Sequence, residues 1–223
     1  MNVFHIIGPV MIGPSSSHTG GAVRIGRMAR ALINGNPVKA DILLHGSFAQ
    51  TYKGHGTDKA LVAGILGMYP DDTRIRTSLQ HAKEAGLEIN ITTGEIPDAH
   101  PNTAIITLTD DLGVTVVVQG SSIGGGNIVI TKINSLNVSI TGQHASVIVL
   151  HNDATGTIAA VTAVLADKKI NVSNFIVNRE KKGGRAVMTF EIDGDLDSDV
   201  TADLKKTLSN LENVINTIVI SPV

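Results

Sequence analysis

The chain of 223 residues contains no cysteine. Without thiols it cannot form disulfides, use a thiol nucleophile, build a zinc–thiolate site or ligate an iron–sulfur cluster through its own cysteines. We therefore predict no metal site in this chain. If an iron–sulfur cluster takes part in its chemistry, another polypeptide must hold that cluster.

Tryptophan is also absent, and aromatic residues make up only 3% of the chain. The core must then be built from Val, Ile, Leu and Ala, which suits strands covered by helices. The formal charge is −2 with no basic block, which argues against nucleic acid or an anionic membrane as a partner. Since the sequence has neither an apolar run of about twenty residues nor the pattern of a signal peptide, we expect a cytoplasmic protein.

The most informative stretch lies near the start of the chain. It places three serines, a histidine and a threonine just before a helical pattern: Ser15, Ser16, Ser17, His18 and Thr19. Hydroxyls and free N–H groups at a helix start favour a bound carboxylate or phosphate. The simpler interpretation is an N-cap, for which one Ser or Thr suffices. Capping does not account for His18, whereas proton transfer near neutral pH does.

Two further histidines stand at predicted element ends. A short strand, 40–45, ends at His45, and a rigid scaffold usually presents working residues at such ends. His100 precedes Pro101 and Asn102 at the mouth of a later strand, where proline disfavours helical geometry. Both positions are typical of residues that contact a ligand.

Two glycine-rich segments separate other predicted elements. In the segment 54–58, glycines flank His55, and Thr57 or Asp58 is expected to cap the helix that follows. The run 119–126 lacks the lysine and the helix of a phosphate loop, so it is interpreted as a loose hairpin between strands.

Hydrophobic periodicity predicts an α+β fold in two domains. In the first, strands are expected over 40–45, 88–92, 103–108, 114–118 and 128–133, and helices over 22–33, from 57 up to Pro70, and over 76–85. In the second, the order is βαββαβ, over 147–150, 155–167, 170–177, 186–192, 200–208 and 214–220. That order is typical of a ferredoxin-like domain with two helices on one face of its sheet. The domains are expected to cover residues 1–143 and 144–223.

Several motifs together resemble one enzyme family. The run from Ile6 to Ala22 contains GPSSSHT, the run from His45 to Asp58 reads HGSFAQTYKGHGTD, and HPN begins at His100. They closely resemble the iron–sulfur-dependent L-serine dehydratases, and the string from Ser122 to Gly126 looks like a further family motif. The similarity covers the whole chain and points to the β subunit of the two-chain form.

The resemblance also implies a fold and an activity. Residues 1–143 are similar to the allosteric substrate-binding fold, and residues 144–223 resemble an ACT domain. The implied reaction converts L-serine to pyruvate and ammonia, with a [4Fe–4S] cluster on the partner α subunit acting as Lewis acid toward the substrate hydroxyl. This chain would then be active only with the α subunit, in a dimer of αβ heterodimers.

The resemblance assigns roles to individual residues. His45 of the HGS motif is the first candidate for the base that removes the α-proton, and His18 and His100 are the other catalytic candidates. Seven residues are expected to bind or orient the substrate: Ser15, Ser16, Ser17, Thr19, Lys53, His55 and Asn102. Four residues of the ACT-like domain are regulatory candidates: Asp153, Thr155, Gly156 and Asn171.

Two alternatives stay open at this point. The chain could be a non-catalytic regulatory module that senses serine through both domains, although a sensor would not need the SSSHT stretch together with His45 and His100. A pyridoxal-phosphate lyase would need a lysine Schiff base, and nothing around the lysines supports one. Which histidine serves as the base is also open.

Overall fold

The computed structural model describes residues 10–194 and 196–223, and the chain divides into two compact units, Met1–Asn134 and Ser135–Val223. The described part of the first unit begins with a π-helix, Ser16–Gly21, and includes a short 3₁₀ helix, Thr73–Thr77. Its other elements are α1 (Ala22–Ala31), β1 (Pro37–Leu44), α2 (Gly46–His55), α3 (Thr57–Ile65), α4 (Ser78–Glu84), β2 (Glu88–Thr93), β3 (Thr103–Asp110), β4 (Thr115–Gly124) and β5 (Asn127–Ile133).

The strands of the first unit run in the order β2-β1-β3-β4-β5. β1 pairs in parallel with β2 and antiparallel with β3, and the β3–β4 and β4–β5 pairs are antiparallel. Apolar residues at every second position of β1, namely Ala40, Ile42 and Leu44, are buried, so one face of the sheet carries the core. Because β1 and β3 are antiparallel neighbours, the end of β1 lies beside the start of β3, and the His45 N–H donates to the Thr103 carbonyl at 3.0 Å.

Helices α1 and α3 cross at a pair of glycines. A Cβ built on Gly26 would lie 2.2 Å from the Leu61 carbonyl oxygen, and one built on Gly64 would lie 2.1 Å from the Val23 carbonyl oxygen. Only glycine allows two backbones to approach this closely. The crossing holds α1, and with it the preceding π-helix, against the rest of the unit.

The second unit begins with a short strand, β6 (Leu136–Ile140), which contacts two strands of the domain that follows. That domain consists of β7 (Ala145–Asn152), α5 (Thr157–Asp167), β8 (Val172–Arg179), β9 (Arg185–Ile192), α6 (Ser198–Ser209) and β10 (Val214–Ile220). Its strands form an antiparallel sheet in the order β10-β7-β9-β8. Val161 and Leu165 of α5 and Leu204 and Leu208 of α6 pack in one core with alternate residues of the sheet. The predicted α+β class and the βαββαβ order are both confirmed.

Some local predictions were wrong. The residues after His45 form a helix, α2, that the sequence analysis did not predict. Gly56 is the N-cap of α3, so neither Thr57 nor Asp58 caps that helix. The glycine-rich run forms the expected hairpin, but most of it is strand rather than loop, because β4 continues to Gly124 and β5 begins at Asn127. The strand β6 was not predicted, and it lies between the division of the two units at Asn134 and Ser135 and residue 143, where the domain boundary stays a prediction.

None of the helices in the described ranges has the length and hydropathy that crossing a bilayer requires.

Candidate functional site

The serine-rich stretch folds as the π-helix that leads directly into α1. Ser15 is its N-cap, and the Ser15 Oγ accepts the backbone N–H of His18 at 3.1 Å. Capping therefore accounts for Ser15, while Ser16 and Ser17 lie half-buried in the first turn. Short π-helical turns are rare and occur often at functional sites.

The ring of His18 lies against three side chains of α2. Its Nε2 is 3.1 Å from the Ser47 Oγ, and its Nδ1 is 3.4 Å from the Ser15 Oγ. Its ring packs edge-on against Phe48 and His55, with centroid distances of 5.3 Å and 4.8 Å. Two of the predicted site histidines, which are far apart in the chain, are thus in direct ring contact.

The environment of His18 lowers its pKa. Burial is the largest cause, the charge of His55 adds to the effect, and a hydrogen bond with the backbone of Ser47 opposes it. The pKa of His18 therefore lies below the ordinary value of about 6.5. At pH 7 the imidazole is neutral, so one ring nitrogen can accept a proton.

Replacing His55 by glutamine is expected to raise the pKa of His18 toward its ordinary value, because the second cause of the shift is removed while burial remains. An NMR titration of the His18 ring protons in the full-length chain measures the change. His81→Gln, on the exposed face of α4, is the control and leaves the titration of His18 unchanged. A His18 midpoint that stays the same or falls in His55→Gln would contradict this account.

His45 follows the last residue of β1 and is 8% exposed. Its Nδ1 accepts the Ile96 backbone N–H at 3.0 Å and lies 3.4 Å from Oε2 of Glu95. An Nδ1 that accepts the Ile96 N–H carries a lone pair, so this contact by itself favours the neutral imidazole with its proton on Nε2. The Glu95 carboxylate beside the same nitrogen favours a proton on Nδ1 instead.

The HPN turn packs on the start of α2. Gly46 has φ +55°, and a Cβ there would lie 2.6 Å from the Pro101 carbonyl oxygen, so this position requires glycine. The Phe48 N–H donates to the same carbonyl at 3.4 Å. His100 is exposed, and its Nδ1 accepts the Asn102 backbone N–H at 3.1 Å. The structure therefore brings the HGS and HPN motifs together but leaves His100 at the surface.

Asn102 connects this turn to β4 and the π-helix. Its carbonyl oxygen accepts the Ser122 N–H at 2.9 Å, and Ser122 packs so closely on Gly21 that a Cβ there would lie 2.1 Å from the Ser122 Oγ. Several buried polar atoms in this region find no hydrogen-bond partner among the described residues: Thr19 Oγ1, His55 Nδ1, Thr57 Oγ1, Asn102 Oδ1 and Ser122 Oγ. Buried polar atoms are nearly always satisfied, so this concentration favours a site that a polar ligand completes.

A cleft of about 420 Å³ opens beside the π-helix. Its polar side chains come from the π-helix, α2, α3 and the 3₁₀ helix: Thr19, Lys53, His55, Lys59 and Arg76. The described residues that line it include cations and no carboxylate, so the cleft suits an anion. A second groove of about 610 Å³ between α2, α4 and β2 shares Lys53 but contains none of the site histidines, and its lining is largely apolar.

No cluster of three or more histidine or carboxylate side chains in the described residues could ligate a metal ion. With no cysteine in the sequence, the donors that an iron–sulfur cluster needs are also missing from this chain. The residues of this chain therefore do not fit the role of cluster ligands.

The regulatory candidates of the second unit are only partly brought together. Asp153, Thr155 and Gly156 line a cavity of about 390 Å³ with Arg179. The Gly183 N–H and then the Arg179 guanidinium hold the pKa of Asp153 below its usual range. Asn171 lies at the opposite end of β8, where its side chain donates to Asp193 at 2.5 Å. Asn171 therefore does not belong to this cavity.

Sequence reasoning did not select several residues of the site. Ser47 and Phe48 lie in the run that begins with the HGS motif, and they could have been found from their place two and three residues after His45. Glu95 gave no sequence signal, because it belongs to a loop that reaches His45 only through the parallel pairing of β1 with β2. Lys59 and Arg76 could also be identified only from the structure, where both line the same cleft.

Comparison with known proteins gives consistent matches along the chain. The family model described as serine dehydratase beta chain matches residues 2–95, and the ACT domain model matches residues 145–209. A probable L-serine dehydratase beta chain of Bacillus subtilis (strain 168) is 46% identical over 96% of this chain and 95% of its own length. The L-serine dehydratase beta chain of Peptoniphilus asaccharolyticus is 39% identical over 95% of this chain and 94% of its own length. A D-3-phosphoglycerate dehydrogenase of Bacillus subtilis (strain 168) is 28% identical over 71% of this chain and 29% of its own length.

Proposed function

The chain belongs to the family of L-serine dehydratase beta chains, and from this premise we propose that it supplies the base and the carboxylate-binding groups for the conversion of L-serine to pyruvate and ammonia. The observation that carries the proposal is the convergence of the motifs in the first unit. His18 contacts Ser47 and His55, and the HPN turn packs on the HGS motif beside them. A serine sensor would need hydrogen-bond donors for its ligand, but no group of histidines.

In this proposal His45 removes the α-proton of serine. The Cα–H bond breaks, the proton moves to Nε2 of His45, and the electron pair left on Cα forms the double bond to Cβ as the hydroxyl leaves. Loss of water gives the enamine, whose hydrolysis releases ammonia and pyruvate. His18 is close to Ser47, two residues from His45, and in its neutral form it can orient the substrate or accept a proton from it. His100, at the surface, is a candidate for positioning.

We place the substrate carboxylate in the cationic cleft. Lys53, Lys59 and Arg76 surround it with positive charge, and Thr19 contributes a buried hydroxyl without a partner among the described residues. Ser15, Ser16 and Ser17 would hold the substrate from the side of the π-helix, with His55 and Asn102 at its borders. The carboxylate would replace the partners that these polar groups lack.

Replacing Arg76 by glutamine is expected to raise the KM for serine about tenfold to a hundredfold, since a hydrogen bond to a charged group contributes about 1.5–3 kcal/mol. The value of kcat should change little, because the contact stabilises the bound substrate and the transition state by the same amount. The matched control is Arg74→Gln on the same 3₁₀ helix, because Arg74 pairs with Asp72 and does not line the cleft. Equal KM values for the two variants would show that the substrate carboxylate does not bind in this cleft.

The remaining chemistry is assigned to a second chain. We propose that the [4Fe–4S] cluster expected from the resemblance is bound by a partner α subunit, because this chain lacks thiolates. The departure of the hydroxyl would then depend on the partner, and this chain alone would not turn over serine. The further arrangement as a dimer of αβ heterodimers belongs to the same proposal.

Reconstitution tests the proposed function. The chain is co-expressed with its α subunit, purified under anaerobic conditions, and assayed for serine-dependent release of pyruvate. The complex should be active, and either chain alone inactive. Stable serine binding by this chain, combined with no pyruvate from the complex, would favour the serine-sensing regulatory module instead.

For the ACT domain we propose a regulatory site in the cavity that contains Asp153, Thr155 and Gly156. The cavity combines the Asp153 carboxylate with the Arg179 guanidinium, the two charges that complement a free amino acid. Calorimetric titration of the full-length chain with L-serine, before and after Asp153→Asn, tests this assignment. Equal affinities would reject it.

A further inference from the structure

Two neighbouring residues compete for one ring nitrogen of His45. The Ile96 N–H donates to Nδ1 at 3.0 Å, while the Glu95 carboxylate lies 3.4 Å from the same atom. The first contact requires that Nδ1 carry a lone pair, and the second is a hydrogen bond only when Nδ1 carries a proton. The two contacts therefore favour opposite tautomers of the neutral ring.

The choice between these tautomers decides what Nε2 can do. With the Ile96 contact alone, the ring proton is on Nε2, which can then donate but cannot accept the α-proton of serine. With the proton on Nδ1 and directed at Glu95, Nε2 carries a lone pair. A histidine that acts as base is commonly oriented by a carboxylate on its other nitrogen in this way.

Proton abstraction itself also requires an acceptor at Nδ1. Once Nε2 has taken the proton, both ring nitrogens are donors, and the fixed Ile96 N–H then faces the N–H of Nδ1. The ring is largely buried, so this pair of donors would have little access to water. The carboxylate of Glu95 can accept from Nδ1 and stabilise the imidazolium.

Within the proposed role of His45 as base, we propose that Glu95 is a positioning residue that holds the His45 proton on Nδ1 and leaves Nε2 free to accept the α-proton. The side chain of Glu95 is 92% exposed, so it adds little to the core, and in this proposal it acts through its charge and its contact with His45. Glu95 touches no reacting atom of the substrate in this scheme. Its effect reaches serine only through the imidazole.

The test combines Glu95→Gln, Glu95→Asp and a matched control. Asp98→Asn removes a carboxylate from the same loop, and asparagine tolerates the positive φ of 57° at that position. In the reconstituted complex, Glu95→Gln is expected to lower kcat roughly tenfold to a hundredfold, by analogy with the loss of partners that orient metal-ligating histidines, with KM nearly unchanged. Glu95→Asp should restore part of kcat, and Asp98→Asn should retain it.

A second measurement determines the position of the His45 ring proton directly. Nitrogen-15 NMR of the full-length chain with labelled histidine reports which ring nitrogen of His45 is protonated, with the His45 signals assigned from their loss in His45→Gln. Glu95→Gln should move the proton from Nδ1 toward Nε2, and Asp98→Asn should not. An unchanged distribution of the proton, or wild-type kcat in Glu95→Gln, would overturn the role of Glu95.

Different results would contradict the proposed role of His45 as base and the proposed role of Glu95 as its positioning residue. If His45→Gln retains turnover, His45 is not the base and the proposed role of His45 is lost, whatever Glu95 does to the ring proton. If His45→Gln is inactive while Glu95→Gln has wild-type kcat, the base assignment stands and only the positioning role is lost.

Discussion

Replacing His45 by glutamine is expected to lower kcat for serine by about 10²–10⁴-fold in the reconstituted complex, the usual contribution of a positioned base. Glutamine is close to histidine in length, is uncharged, and has a side-chain amide that can form hydrogen bonds in the space of the imidazole. The fold should therefore remain intact while the proton acceptor is lost. Steady-state kinetics with serine, together with circular dichroism of the variant, measure both effects.

His81→Gln provides the control for this experiment. His81 lies on α4 beside Glu84, outside the cluster around His18. Its replacement should leave kcat within about twofold. His18→Gln serves as the competing variant, because His18 is neutral near pH 7 and close to Ser47. If His45→Gln keeps most of its turnover while His18→Gln loses it, the role of base passes to His18.

Replacing Gly26 by alanine is expected to lower the free energy of unfolding of the first unit by about 3 kcal/mol, at the upper end of the usual cost of overpacking. The added methyl group would lie 2.2 Å from the Leu61 carbonyl oxygen. No change of rotamer can relieve a contact with the backbone, so α1 and α3 must move apart. Helix α1 follows the π-helix without a break, so the same variant should also disturb the site around His18.

Urea denaturation, with tyrosine fluorescence as the signal, measures this effect in the first unit alone. The chain has no tryptophan and 2 tyrosines, Tyr52 and Tyr69, both of which lie in the first unit. The matched control is Gly54→Ala in α2, where a Cβ meets nothing within 4 Å. Alanine there should stabilise the helix by about 0.5–1 kcal/mol. Similar denaturation midpoints for Gly26→Ala and Gly54→Ala would show that the helix crossing is not tightly packed.

The sequence predicted most elements of the fold because their hydrophobic patterns are strong. After β6, the second unit follows the predicted βαββαβ order, since helices α5 and α6 bury apolar residues at helical spacing and the strands between them are rich in apolar residues. Helix α2 was missed because its segment, Gly46–His55, contains two glycines and buries only Phe48. Such a helix forms through its contacts with the HPN turn and the π-helix rather than through its own propensity.

The sequence by itself determined the family, the two-domain organisation and the motifs that carry the candidate histidines, because these depend on residue types and their spacing along the chain. Only the tertiary structure decided which atoms meet. It placed His18 between Ser47 and His55, gathered Lys53, Lys59 and Arg76 around one cleft, and set Ile96 and Glu95 against a single nitrogen of His45. The position of a ring proton depends on such contacts across strands and loops, and no local pattern of residues encodes it.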